Sequence, residues 1–265
     1  MRRCIWLLCC LLLGACSGVP IVPAEVRAEL ASSGSLRAAI NFGNPVLAQK
    51  DPSTGAARGI SVDLAHELGR RLGVPVQLVL FDAAGKVFDA AASNRWDVAF
   101  LAIDPARATE ITFTAPYVVI EGTYLVPADS PLRTIEDVDR AGVRIAVGNK
   151  SAYDLYLSRA LQRAQLVRAP TSSAAIELFQ TDKLDAVAGV KQALAKFAGT
   201  RSDVRVMDGR FMAIEQAIGT PKRNATGAQY LRSFIEEMKA CGFIARGLQR
   251  SGQGDATVAA PTTIR

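Results

Sequence analysis

Between residues 36 and 81 the chain reads Leu36-Arg-Ala-Ala-Ile-Asn41, then Ile60-Ser-Val-Asp-Leu-Ala-His-Glu-Leu-Gly-Arg-Arg-Leu-Gly73, then Pro75-Val-Gln-Leu-Val-Leu-Phe81. The first run is short and apolar and predicts a strand. In the second, Ile60, Leu64, Leu68 and Leu72 recur every fourth residue and so share one face of a helix, which Gly73 stops. The third run predicts the next strand. Val87 to Asn94 predicts a helix, Asp97 to Ile103 a buried strand, and Ile111 to Ile120 an extended segment interrupted by Pro116. A strand-helix-strand-helix-strand order is the pattern of an open α/β sheet.

The pattern begins again after a strand at Thr123 to Val126. Thr134, with Asp137 three residues on, can cap a short helix. Arg144 to Val147 predicts a strand, Ser151 to Arg163 a helix, Leu166 to Arg168 a strand, Ala174 to Phe179 a helix and Leu184 to Val190 a strand. Two successive α/β units predict two lobes with a cleft between them, and ligands of such sheets sit beyond the carboxyl ends of the strands. Met212 to Ile218 then predicts a strand. Ala225 to Lys239 predicts an amphipathic helix carrying Tyr230, Leu231, Phe234, Ile235 and Met238 on one face, returning to the first lobe.

At the other end, Arg2 and Arg3 precede the apolar run Ile5 to Leu13, and Leu13-Gly-Ala-Cys16 places small residues directly before a cysteine. This order predicts an export signal over residues 1–15. Leu13 to Cys16 also resembles a bacterial lipobox, which implies lipid attachment at Cys16 and a lipid-anchored protein outside the cytoplasm. Residues 16–33, rich in proline and small residues, are expected to be a tether. Cys4, Cys9 and Cys10 fall in the signal, so Cys241 alone remains for the folded body and no intramolecular disulfide is expected. With His66 as the one histidine and no CxxC pair in the mature chain, no metal site or cofactor is expected. Losing Arg2 and Arg3 lowers the formal net charge from +6 to +4, and the basic residues are interspersed with acids. Nucleic-acid binding is therefore not expected.

Five segments together carry a resemblance: Gly34-Ser-Leu-Arg-Ala-Ala-Ile40, Gly59-Ile-Ser-Val-Asp-Leu-Ala-His-Glu-Leu68, Arg95-Trp-Asp-Val-Ala-Phe100, Ala106-Arg-Ala-Thr-Glu-Ile-Thr-Phe-Thr-Ala-Pro-Tyr117 and Lys183-Leu-Asp-Ala-Val-Ala-Gly189. In this order the chain resembles the polar amino-acid family of periplasmic solute-binding proteins, family 3. The resemblance implies a periplasmic-binding-protein-like fold, each lobe an open sheet flanked by helices, joined by two hinge strands. On this pattern residues 34–121 and 213–265 form lobe 1 and 122–212 form lobe 2. It further implies a monomeric, non-enzymatic capture protein that serves an ABC permease in the inner membrane. Its ligand would be a small, carboxylate-bearing, amino-acid-like solute held by closure of the cleft.

By the same resemblance the carboxylate-gripping arginine falls on Arg107, whose planar, paired donors match a carboxylate. The opposing lobe is expected to contribute Ser151 and Ala152, where a helix begins after a strand and exposes backbone N–H groups. Asn44 stands where the family often has an aromatic covering the ligand, and Ala84 near a second such position. Between Asp97 and Arg107 the chain is two residues shorter than the family pattern, so the usual hydroxyl ligands do not map cleanly onto Ala102, Ile103 or Asp104; either Ala102 and Asp104 are contacts in their place, or these positions simply form a turn. The family's acid for an α-amino group falls near Val190, beside Gly189 and Lys191. Either the ligand lacks an ordinary α-amino group, or an acid such as Asp104 or Glu121 substitutes.

Two other functions are open at this point. A dehydratase-like enzyme on the same fold would need an acid in the cleft, for which Asp104 is the candidate near Arg107. A solute sensor that does not transport would be expected to continue into a membrane helix, whereas residues 252–265 contain no apolar run. Gly148-Asn-Lys-Ser151 lacks the glycine spacing of a phosphate loop.

Overall fold

The computed structural model describes residues 22–262. The expected signal and Cys16 lie outside the described residues. The strands run, in chain order, β1 Leu36–Asn41, β2 Gln49–Lys50, β3 Ala57–Arg58, β4 Val76–Phe81, β5 Val98–Ala102, β6 Ile111–Phe113, β7 Val118–Pro127, β8 Arg144–Gly148, β9 Gln165–Ala169, β10 Ala186–Val190, β11 Val204–Val206, β12 Met212–Pro221 and β13 Thr257–Val258. The helices are α1 Ala24–Leu30, α2 Ile60–Leu72, α3 Ala84–Asp89, α4 Ala152–Ala160, α5 Ser172–Thr181, α6 Lys191–Ala198, α7 Ala225–Ala240 and α8 Phe243–Arg250.

One sheet runs through the molecule in the order β4-β1-β5-β12-β7-β10-β8-β9. Its two ends repeat the same motif. β4, β1 and β5 are parallel with the earliest strand in the middle, and so are β9, β8 and β10. Between these trios lie two long antiparallel strands, β7 and β12. β7 pairs with β12 through Val118 to Gly122 and with β10 through Gly122 to Leu125, while β12 pairs with β5 through Gln216 to Gly219. Each long strand thus belongs to one lobe at one end and to the other lobe at the other. The fold is a two-lobed α/β structure with two hinge strands.

The inner strands of each trio, β1 with β5 and β8 with β10, are buried on both faces, which is why they read as apolar runs, while the edge strands β4 and β9 are partly exposed. Leu36, Ala38 and Ile40 of β1 face the main core with Leu64 and Leu68 of α2, whereas Ala39 faces a second cluster with Val87, Trp96 and Leu101. In lobe 2, Ile145 and Val147 face the main core while Ala146 packs with Phe179 and Leu194. Helix α2 ends at Gly73, whose φ of 68° is the left-handed conformation that closes a helix without a Cβ penalty.

Several expectations are corrected. Helix α3 starts at Ala84 and ends at Asp89, not over Val87 to Asn94: Trp96 donates its indole N–H to Val87 O at 2.9 Å, so the segment after Asp89 turns back over the helix. Thr123 to Val126 is part of the single strand β7. Residues 16–33 are not tether throughout. Ala24–Leu30 is a helix that buries Val26 and Leu30 against α7, and Glu29 accepts Gly227 N–H at 2.7 Å. Gly227 permits that approach, since a Cβ there would lie 2.7 Å from Leu30 Cδ2. The Thr134 cap and its Asp137 partner form a capping box, but on a 3₁₀ turn, Ile135–Val138. Among the described residues no helix is long and apolar enough to cross a membrane.

Candidate functional site

The carboxyl ends of β1, β5, β8 and β10 all point to one place, the cleft between the lobes, and a cavity of ≈ 30 Å³ lies there. The end of β1 brings Asn41, Gly43 and Asn44, β5 brings Leu101, Ala102 and the following Arg107, and the loop after β8 brings Ser151, Ala152 and Tyr153. Ser172 at the start of α5, Val190 at the end of β10, Ala84 of α3, and Ile214 and Gln216 of hinge strand β12 complete the wall.

Arg107 is held by a turn that the sequence builds locally. After β5, Asp104 Oδ1 accepts Ala106 N–H at 2.8 Å, and Arg107–Thr109 forms one turn of 3₁₀ helix. The guanidinium is 1% exposed. Its Nη1 donates to Ala102 O at 2.9 Å in its own lobe, and its Nη2 donates to Lys150 O at 3.0 Å across the cleft. Nε is buried and has no hydrogen-bond partner. Burial brings its pKa down to about 10, partly offset by the charge of Asp104, so it stays a cation at neutral pH. A buried cation with a free donor is costly unless an anion meets it.

The opposing wall is the start of α4. Lys150 adopts φ 53°, and its N–H is accepted by Asp154 Oδ2 at 2.8 Å. Ser151 caps the helix by accepting Asp154 N–H at 3.0 Å. The N–H groups of Ala152 and Tyr153 have no backbone acceptor among the described residues, as expected for a first helical turn, and the helix dipole adds positive potential there. Tyr153 donates to Ser172 Oγ at 2.7 Å; burial pushes its phenol pKa up, so it remains a donor.

Besides the Arg107–Lys150 bond, three contacts tie the lobes together. Arg159 Nη2 meets Asp104 Oδ2 at 2.8 Å, Lys150 Nζ meets Asp89 Oδ1 at 2.7 Å, and Gly85 lies so near the Asn149-Lys150 backbone that a Cβ would be 2.9 Å from Asn149 O.

Of the residues expected at the site, the structure brings Arg107, Ser151, Ala152, Asn44 and Ala102 to one cavity. Asp104 is the correction. It does not line the cavity, because its two oxygens are committed to the turn before Arg107 and to Arg159. Glu121 is also off the wall, paired with Lys191 and Arg210 at 2.9 and 3.2 Å. Asn41, Tyr153, Ser172 and Gln216 were not among the expected residues. Asn41 and Ser172 follow the same strand-end rule that pointed to Arg107 and Ser151, and Gln216 is a buried amide on hinge strand β12 beside the exposed Glu215. His66 is exposed on α2, and among the described residues no cluster of His, Cys, Asp or Glu could hold a metal.

Solved structures with this architecture include a mutant of the arginine-binding protein ArgBP from T. maritima, with a TM-score of 0.74 at 22% identity, covering 86% of this chain and 99% of that one. AbpA, an amino acid ABC transporter substrate-binding protein from Streptococcus pneumoniae bound to L-arginine, has a TM-score of 0.74 at 18% identity, covering 85% of this chain and 97% of that one. AncCDT-1, an ancestral amino acid-binding protein and precursor of cyclohexadienyl dehydratase, has a TM-score of 0.71 at 21% identity, covering 84% and 96%. No curated protein matches the sequence. The family model for bacterial extracellular solute-binding proteins, family 3, matches residues 36–251, and the chain belongs to that family.

Proposed function

We propose that this protein is the capture component of an ABC importer, anchored outside the cytoplasm by lipid at Cys16, and that it binds a small carboxylate of amino-acid size by closing two lobes around it. The observation that carries this reading is Arg107: a buried guanidinium between the lobes, with two donors spent on carbonyls, a third free, and no carboxylate on it. Facing it is the N-terminus of α4, a second donor array suited to an anion. We take the lobes as 34–121 with 213–265, and 122–212, and the working unit as a monomer. The cavity wall carries no Asp, Glu, His, Cys or Lys among the described residues, and its one phenol, Tyr153, is engaged with Ser172 and has its pKa pushed up by burial, which suits a general acid or base poorly. That supports binding over dehydration.

A thermal-shift screen of small carboxylates tests the reading, because a ligand at about a hundred times its Kd adds roughly 2.7 kcal/mol of stability. No shift with any carboxylate would remove it. Closure is tested separately. Since Arg107 and Lys150 come from different lobes, small-angle scattering with a ligand found in the screen should show a more compact particle than without it. Identical curves at saturation would count against a cleft that closes on its ligand. For the anchor, Cys16→Ser should release the protein from membranes and abolish palmitate labelling; firm membrane association of the variant together with no labelling of the parent would exclude lipidation.

A further inference from the structure

The cavity's charge count does not suit a zwitterion. Of the residues on its wall, Arg107 alone is charged. The acids around it are all engaged elsewhere: Asp104 with Arg159, Glu121 with Lys191 and Arg210, Asp154 with Arg168, and Asp89 with Lys150. A ligand with one carboxylate and no amino group neutralises the guanidinium. An α-amino acid brings a second cation into the same closed space and leaves the site with a net positive charge that nothing buried compensates.

The neutral groups add to this bias, because the Asn41 and Asn44 amide oxygens each already accept a backbone N–H, and no oxygen on the wall carries the charge that would compensate a buried ammonium. Asn41 Oδ1 accepts Gly43 N–H at 2.9 Å and Asn44 Oδ1 accepts Val46 N–H at 3.3 Å. An N–H cannot donate to an amide NH₂, so these bonds fix both amide orientations and leave the two NH₂ groups as donors without a protein acceptor among the described residues. Ser172 Oγ already accepts from Tyr153, which leaves its hydrogen to donate. Gln216 contributes the remaining amide, a neutral group. At the end of β10, Val190 presents only methyl groups.

Building on the carboxylate site proposed above, we infer that the solute is a small monocarboxylate without an α-ammonium, its second carbon carrying an oxo or hydroxyl oxygen that faces neutral amide and hydroxyl donors. The walls approach closely here, Arg107 Nη2 standing 3.0 Å from Lys150 O across the cleft, which suits short ligand chains.

Calorimetry with matched sets tests this: pyruvate, L-lactate and L-alanine, then 2-oxoisovalerate, 2-hydroxyisovalerate and L-valine, with L-arginine as a further probe. The oxo or hydroxy acid of a set is expected to bind at least about a hundredfold more tightly than the amino acid of the same skeleton, as an uncompensated buried charge demands, and L-arginine is expected not to bind. An amino acid that binds as tightly as its oxo and hydroxy counterparts would overturn the inference while leaving carboxylate capture standing. If no member of any set binds, the carboxylate site and the inference fall together. As a gain-of-function arm, Val190→Asp should shift the preference toward the amino acid by at least about tenfold. A folded Val190→Asp protein, checked by circular dichroism, that keeps the parent's preference would overturn the charge account.

Discussion

Replacing Arg107 by alanine is expected to weaken binding of the protein's carboxylate ligand by well over tenfold, a loss of roughly 2 to 5 kcal/mol. The guanidinium does two things at once: Nη1 reaches Ala102 O in lobe 1 and Nη2 reaches Lys150 O in lobe 2, while Nε stays buried with no hydrogen-bond partner. Truncation therefore removes both the countercharge and a bond that joins the closed lobes. Arg107→Lys should recover only part of the affinity, because one ammonium cannot reproduce donors set in a plane and aimed at separated acceptors. Stability should change much less than affinity. Removing the side chain strands two carbonyls, but it also removes a buried cation that has no carboxylate against it, and these effects oppose each other. Calorimetry alongside circular dichroism of each variant checks the expectation. A folded Arg107→Ala protein with the parent's affinity would eliminate this cavity as the carboxylate site.

How much of this was legible in the sequence depends on how local each cause is. The helix Ile60 to Leu72 and its Gly73 stop are written in spacing four residues apart, and strand β1 matches its apolar run from Leu36 to Asn41. The limits of helix α3 differ from the expected ones because they depend on Trp96 folding back to Val87 O, a contact no periodicity expresses. Proline and small residues around α1 favour a tether; what makes it a packed element is α7, some two hundred residues away, with Gly227 allowing the contact. The site divides the same way. Arg107 and Ser151 are marked by neighbouring residues, since a turn and a cap surround them. Asp104 looked like a site acid from its place in the chain, yet Arg159 on the other lobe draws it away from the cavity. Gln216 could be found only once β12 was known to cross between lobes, pairing with Val118 of β7 and Ala102 of β5 at that one residue.

Asp97→Ala is expected to cost about 3 kcal/mol of folding stability, the lower end of what removing one partner of a buried ion pair costs, because Arg37 keeps partial contact with solvent. Asp97 is 3% exposed and works as a staple at the base of lobe 1. Its carboxylate accepts Arg37 N–H at 2.9 Å, Arg37 Nε at 3.0 Å and Arg37 Nη2 at 2.6 Å, its own N–H donates to Arg37 O at 2.9 Å, and its carbonyl accepts Thr220 Oγ1 at 2.9 Å. One residue thereby joins β1, β5 and the hinge strand β12. The hydrogen bonds that Arg37 donates to Asp97, chief among the favourable contacts, raise the Arg37 pKa. Asp97→Asn keeps one acceptor and should recover a minority of the loss. Urea unfolding should show a lower midpoint with an unchanged slope, the signature of lost stability and not of a changed unfolded state. Because Asp97 sits at the amino end of β5 and the cavity at its carboxyl end, ligand affinity of the folded variant should stay near the parent's. A loss below about 1 kcal/mol, the range of an exposed pair, would show that the three strands hold their register without the staple. A folded variant with affinity reduced as far as Arg107→Ala would instead show that Asp97 positions Ala102 O, and through it the guanidinium, from the far end of the strand.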